Sequence, residues 1–327
     1  MAPRPGNGSG VRFIDLEPSL DSLEHAVIEG LAKQPKAIAS KFFYDERGSE
    51  LFERICEQPE YYPTRVELSI LRENAARLAE IIGAQAHVIE LGAGALEKVR
   101  ILLAALDRPA HFTALDISGD HLLKAAEALA EDFSQLPVTA VCADYTHDFR
   151  LPEELASLGR RRVGFFPGST IGNFPRAEAV RFLREMKPVF SPGGLFIVGV
   201  DLKKEPDILN AAYNDAAGVT AAFNLNLLAR INRELGGDFD LERFAHRAAY
   251  DPDTGCVETH IESLADQDAE VTGRRFRFAR GERIHTEHSC KYTLEEFRHL
   301  ARDAGWRPLE AMTDADALFS VHILGTD

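Results

Sequence analysis

Apolar and polar positions follow two different periods along this chain, and the change between them divides it. From Pro63 to Ile82 the residues Val66, Leu68, Leu71, Ala75, Leu78 and Ile82 recur at helical spacing, with Pro63 and Thr64 at the start and Gly83 at the stop. That pattern predicts one amphipathic helix over 63–82. Five short apolar runs follow, separated by helical stretches: HVIEL (87–91), HFTAL (111–115), VTAVC (138–142), RVGFF (162–166) and LFIVGV (195–200). Unbroken rather than alternating runs suit strands covered on both faces, as a parallel sheet flanked by helices requires. The expected class is α/β, a doubly wound, mostly parallel sheet of Rossmann-like type.

Between about 203 and 285 the rhythm changes. Ala- and Asn-rich helical sequence (AAYNDAAGVTAAFNLNLLARINREL) gives way to alternating strands such as VETHIESL and RRFRFARG. Alternation implies an antiparallel sheet with one wet face, so this segment reads as an insertion into the parallel core. Thr293 and Glu296 then form a capping box ahead of Phe297, Leu300, Ala301 and Ala304, and two further strand-like stretches, RPLEAM and FSVHILG, close the chain. The expected division is a core of 66–201 and 293–327, a second α+β domain of 12–65 and 202–292, and a flexible start over 1–11.

Composition narrows the function classes. The 327 residues carry 37 Lys and Arg against 52 Asp and Glu, a formal net charge of −15. Such a chain repels phosphate backbones and anionic bilayers, so neither nucleic acid nor a membrane is an expected partner. No apolar run approaches the roughly 20 residues needed to span a bilayer, and the MAPRPGNGSG start has no signal-type apolar segment. Cys56, Cys142, Cys256 and Cys290 lie far apart without a CxxC pair, which argues against a disulfide framework or a zinc ribbon and for a reducing, cytoplasmic setting.

The chemistry starts at VIELGAGALEK (88–98), a strand, a glycine turn and a helix start in succession. Gly92 and Gly94 let the backbone turn tightly and approach a ligand at the carboxyl edge of the sheet. Asp116 ends the next run, where a carboxylate can accept hydrogen bonds from ribose hydroxyls, and Asp144 follows the third run. A dinucleotide site asks for a third glycine where this chain has Glu97. S-adenosylmethionine carries no phosphate, and its cationic sulfonium suits an edge rich in acids (Glu90, Glu97, Asp116, Asp144). Its methionine carboxylate could be met by Lys98 or by backbone amides.

The stretches FFYDERGSELFERICEQPEYYPTR (42–65), ELGAGALEK (90–98), GSTIGNF (168–174), YNDAAGVTAAFN (213–224) and TEHSCKY (286–292) together resemble the histidine-specific Nα-methyltransferases of the ergothioneine pathway. The resemblance runs from about Phe42 to the C-terminus. It implies a class I methyltransferase core with a discontinuous substrate domain, and trimethylation of the L-histidine α-amine to hercynine by S-adenosylmethionine. Carried over by motif, it implies that Gly92, Lys98, Asp116, Asp144 and Tyr145 hold the cofactor. Tyr61, Asn173, Tyr213, Glu287 and Ser289 would hold the substrate, with Tyr44 near the amine. Glu287 can accept the imidazole N–H, while Asn173 and the phenols can donate to the amino-acid carboxylate. Thr259 departs from the family's bulkier apolar residue at the side-chain pocket.

Other readings stay open at this level: a relative acting on tryptophan or tyrosine, a non-catalytic S-adenosylmethionine-binding protein, or a nicotinamide oxidoreductase. His285, His288, Glu287 and Cys290 could be taken for metal ligands. Two histidines three apart on a strand point to opposite faces, however, and no metal is expected. A monomer acting on a small molecule is the expected assembly.

Overall fold

The structure, a computed structural model, describes residues 10–16, 23–146 and 149–326. Its strands, in chain order among the described residues, are β1 (Arg12–Asp15), β2 (Lys36–Ala37), β3 (Ala86–Leu91), β4 (His111–Asp116), β5 (Val138–Cys142), β6 (Arg161–Phe166), β7 (Leu195–Asp201), β8 (Phe244–Asp251), β9 (Cys256–Ser263), β10 (Gln267–Val271), β11 (Arg274–Phe278), β12 (Arg283–Cys290), β13 (Arg307–Thr313) and β14 (Phe319–Gly325). The chain folds as two compact units, one of Met1–Pro18, Pro63–Lys203 and Tyr292–Asp327, the other of Ser19–Tyr62 and Lys204–Lys291. Among the described residues no helix is long and apolar enough to cross a membrane.

The first unit is built on an eight-stranded sheet in the order β1-β5-β4-β3-β6-β7-β14-β13. Its strands run parallel from β1 to β7, and β14 and β13 add an antiparallel edge. Every residue of β3, β5 and β7 is buried, because helices cover both faces, and this is why those runs do not alternate. The strand order reverses at β3, whose neighbours are β4 and β6. The crevice outside the carboxyl ends there is where open α/β sheets take ligands.

Three expectations about this unit change. The helix over 63–82 is two helices, Tyr62–Glu73 and Ala75–Ile82. They break at Asn74, whose side chain donates to the Ile70 carbonyl at 2.8 Å. The segment 12–15, assigned by sequence to the second domain, is an edge strand pairing in parallel with β5. Four partly exposed residues carry too little periodicity to announce a strand. Residues 1–9 of the expected flexible start lie outside the described residues, while Val11 is 3% exposed and packs in the core. The capping box at Thr293 forms as read, with Thr293 Oγ1 accepting from Glu296 N and Glu296 Oε2 from Thr293 N.

The second unit packs the helices Leu23–Ala32, Glu46–Cys56, Pro206–Tyr213 and Val219–Leu235 with a four-stranded sheet in the order β2-β12-β9-β8 and the β10-β11 pair. Phe43, Phe223, Leu227, Ile261, Phe278 and Ile284 belong to its core. Along β9, Val257, Thr259 and Ile261 are buried while Glu258, His260 and Glu262 are half-buried, the alternation the sequence predicts. Against the expectation from spacing, Cys256 and Cys290 form a disulfide. They sit 34 residues apart, but the antiparallel pairing of β9 with β12 places them directly opposite each other.

Candidate functional site

Two groups of candidate residues form, one in each unit. In the first, the end of β3 enters a turn in which Gly92 and Gly94 have φ of +69° and +49°, values that favour glycine. A Cβ at Gly92 would also lie 2.8 Å from Tyr145 Oη, so the phenol would have to shift to admit one. Asp116, at the end of β4, accepts from Gly94 N at 3.3 Å and from Ser118 N at 2.9 Å, fixing its carboxylate against the turn. Asp144 accepts from Thr146 N at 2.9 Å. Gly92, Asp116, Asp144 and Tyr145 thus converge at the carboxyl ends of β3, β4 and β5.

Lys98 stands in the first turn of the helix Glu97–Ala105 and pairs with Glu67 at 2.7 Å. Glu67 is 1% exposed and accepts from Gly168 N at 2.9 and 3.1 Å. It therefore ties the helix after the glycine turn to the loop after β6, across the point where strand order reverses. Asn173 lies in that loop, at the end of the short helix Thr170–Asn173. One acid of the expected edge is corrected. Glu90 is buried within β3, and burial pushes its carboxyl well above the usual range, with Glu67 and Asp116 adding to the rise and Lys98 opposing it. Burial thus disfavours its charged form, and it lies inside the strand rather than on the open edge. Glu97, in the position of a third glycine, is exposed.

In the second unit the phenols gather. Tyr61 packs edge-on to Tyr213 at 6.5 Å and to Phe52 at 6.4 Å, and Tyr44 packs against Phe52 and Phe223. Tyr213 Oη and Ser289 Oγ are 2.6 Å apart, and Lys291 Nζ donates to both at 2.8 Å. Burial pushes the Tyr61 phenol well above its ordinary range, and Tyr213, Tyr44 and Glu287 add to the rise. Burial also pushes the Glu287 carboxyl up to about 7, with Lys291 and His288 opposing. The structure thus brings Tyr44, Tyr61, Tyr213, Glu287 and Ser289 together, whereas Asn173 belongs to the first unit.

A β-bulge explains how β12 serves this cluster. Its register against β9 shifts between His285 and Glu287, so His285 pairs with His260, while Glu287 pairs with Thr259 and His288 with Glu258. Glu287 and Ser289 therefore share the inner face with Thr259, and His285 and His288 share the outer face. The expectation that the two histidines point to opposite faces fails for this reason. Both contact Glu258, His285 Nε2 at 2.8 Å and His288 Nδ1 at 2.9 Å. Burial raises the Glu258 carboxyl, but these hydrogen bonds outweigh it and hold the group at about 2. Thr286, at the bulge, donates to Asn224 Oδ1 and the Thr259 carbonyl. Thr259 is 3% exposed, and its hydroxyl has no hydrogen-bond partner among the described residues.

Sequence reasoning missed several positioning residues. Lys291 was legible, since positions 287, 289 and 291 share a strand face. Asn224 bonds His246 Nδ1 as well as the bulge, and His246 Nε2 donates to the Tyr213 carbonyl, giving a chain of contacts from Tyr213 to Thr286. Glu67 gave no signal, because a helical stripe is read from apolar positions and it takes one of them beside Pro63, Ile70 and Leu71.

The sequence profile of the family described as histidine-specific methyltransferase, SAM-dependent, matches residues 23–326. Histidine N-alpha-methyltransferase of Mycolicibacterium smegmatis is 37% identical over 95% of this chain and 97% of its own. The protein of the same name from Mycobacterium tuberculosis is 37% identical over 92% of this chain and 94% of its own. Ergothioneine biosynthesis protein 1 of Neurospora crassa is 31% identical over 89% of this chain and 33% of its own longer one.

Proposed function

Because the chain belongs to the histidine-specific, S-adenosylmethionine-dependent methyltransferase family, we propose that it methylates the α-amine of L-histidine three times, giving hercynine, the first step of ergothioneine biosynthesis. The observation that carries the substrate assignment is the inner face of the bulged strand. There Glu287, with its carboxyl at about 7, pairs across strands with Thr259 and stands two positions from the Ser289–Tyr213–Lys291 cluster. A carboxylate and a buried hydroxyl suit the two nitrogens of an imidazole. Tryptophan offers one ring N–H and tyrosine one hydroxyl, so neither ring presents the two nitrogens that an imidazole sets against this pair of groups.

S-adenosylmethionine, when bound, supplies an electrophilic methyl group on a sulfonium. The turn fits such a donor: Gly92 gives a backbone approach that a Cβ would close, and Glu97 stands where a diphosphate would want no charge. Asp116 and Asp144 would take the ribose and adenine side of the donor. Tyr145 would pack against it, and Lys98, held by Glu67, would face the donor's carboxylate end. Tyr213 and Tyr61 would donate hydrogen bonds to the amino-acid carboxylate.

The chain's own part in the reaction is positioning. The attacking nitrogen must be neutral and in line with the breaking S–C bond, and fixing that geometry supplies most of the acceleration. The α-amine of a chain terminus has a reference pKa of about 7.7–8.0 and that of a free amino acid, beside its own carboxylate, lies higher, so the pocket has to favour the neutral form, which desolvation among the phenols does. The product is a fixed cation, which the faces of Tyr44 and Tyr61 can meet. The leaving group is already activated as a sulfonium, so the transfer step calls for no metal. A monomer acting in the cytoplasm, where free histidine and the methyl donor are made, completes the reading, with neither nucleic acid nor membrane as partner. Incubation with S-adenosylmethionine and L-histidine tests it: mono-, di- and trimethylated products are expected by mass, and unmodified histidine would overturn it.

A further inference from the structure

The outer face of the bulged strand carries a cluster that methyl transfer does not use. His285 Nε2 and His288 Nδ1 lie 2.8 and 2.9 Å from Glu258 Oε2, and the three donor groups fall within 4.8 Å of one another. The two imidazole rings are 4.1 Å apart, and His260 flanks His285 at 5.2 Å. A cavity of about 360 Å³ opens beside them, with His260, Lys36 and Arg283 in its lining. We propose that Glu258, His285 and His288 bind a divalent transition metal of the zinc class, which staples the bulge of β12 to β9 from the face opposite Glu287 and Ser289.

The donor set decides the class of ion. Two imidazole nitrogens and one carboxylate oxygen form a borderline set that suits Zn²⁺, whereas Ca²⁺ and Mg²⁺ take oxygen ligands. Three protein ligands leave a fourth position for water or a small anion, and the cavity provides room for it. Four-coordinate bonds of about 2.0–2.2 Å set neighbouring donors roughly 3.3 Å apart, so the present contacts open by about half an ångström on binding. The side chains involved are 21%, 26% and 35% exposed, which leaves them the freedom to do so. The cations at the cavity are engaged by carboxylates, Lys36 by Glu282 and Arg283 by Glu262, which Arg247 shares.

The placement gives the ion a consequence. His285 precedes the register shift, His288 follows it, and Glu258 lies on the partner strand, so one ion would bridge both sides of the bulge. A bulge is what puts Glu287 and Ser289 on the inner face together, and a slip of one residue would turn them outward. Metal binding on one face therefore secures the register of the proposed imidazole contacts on the other. Binding itself is read without any methyl transfer, so it stands or falls apart from the proposed reaction.

The test is titration of metal-free full-length protein with Zn²⁺ against a chromophoric chelator, alongside the His285→Ala, His288→Ala double variant. One equivalent bound by the wild type, with affinity falling roughly tenfold or more in the double variant, is the expected result. A rise in Tm on adding Zn²⁺ is expected in the wild type alone. If the double variant does not fold, Co²⁺ added to wild-type protein gives the second readout: the absorption of a four-coordinate site at one equivalent supports the assignment. Absence of stoichiometric binding, a six-coordinate spectrum, or equal affinity in a folded double variant would overturn it.

Discussion

The hydroxyls of Tyr213 and Ser289, 76 residues apart in sequence, lie 2.6 Å apart, and the buried ammonium of Lys291 donates to both. A helix C-terminus and a bulged strand are thereby locked together through three side chains. Hydrogen bonds to a charged group contribute about 1.5–3 kcal/mol each, so loss of one should be felt in substrate binding. Ser289→Ala and Tyr213→Phe are each expected to raise KM for histidine roughly tenfold. The double variant should cost less than the product of the two, because the groups act as a unit. Steady-state kinetics on all three proteins checks this; full additivity would mean that the hydroxyls act separately.

Glu287 gives the histidine contact a pH dependence with a definite sign. With its carboxyl at about 7, it is ionised above that pH and protonated below it. The ratio of wild-type to Glu287→Gln kcat/KM should therefore climb from about pH 6 to about pH 8, and the substrate's own titrations cancel in that ratio. Stability runs the other way. The folded-state value lies above the ordinary 4.5, so the stability tied to this burial is complete below about 4.5 and is lost as pH rises through about 7. Melting curves of both proteins across that window should diverge toward high pH, with the glutamine variant the more stable.

Glu67 anchors the first unit. Replacing it by Ala removes the ion pair with Lys98 and the acceptor that Gly168 N uses, and so loosens the tie between the helix after the glycine turn and the loop after β6. The methyl donor should bind more weakly by calorimetry, and Tm should fall. Glu67→Gln keeps an acceptor for Gly168 N and should retain more of both properties.

Thr259 tests the side-chain pocket. Its buried hydroxyl stands across from Glu287. Thr259→Val is close in shape and removes only the hydroxyl. It should lower kcat/KM for histidine by roughly 5–20-fold while leaving the methyl donor's Kd unchanged. An unchanged value for histidine would show that the hydroxyl takes no part in recognition.

How far the sequence spoke depended on the length and purity of each signal. The parallel strands from β3 to β7 were legible because burial on both faces leaves short, mostly apolar runs that do not alternate. The Thr293 cap was legible because its two hydrogen bonds join residues three apart. β1 was hidden by its four-residue length, and the break at Asn74 by an apolar stripe that continues through it. The Cys256–Cys290 bond was hidden because the pairing that joins the cysteines is a tertiary fact. The bulge in β12 mattered most. One extra residue reversed the expected faces of His285 and His288, and no local pattern in HTEHSC announces it.

The most direct measurement of the central claim is a competition assay in which the protein meets an equimolar panel of amino acids and isotope-labelled S-adenosylmethionine. Label accumulating in trimethylated histidine ahead of every other amino acid is the predicted result. Label in tryptophan or tyrosine with histidine unmodified, or methyl-donor binding with no labelled product, would contradict it.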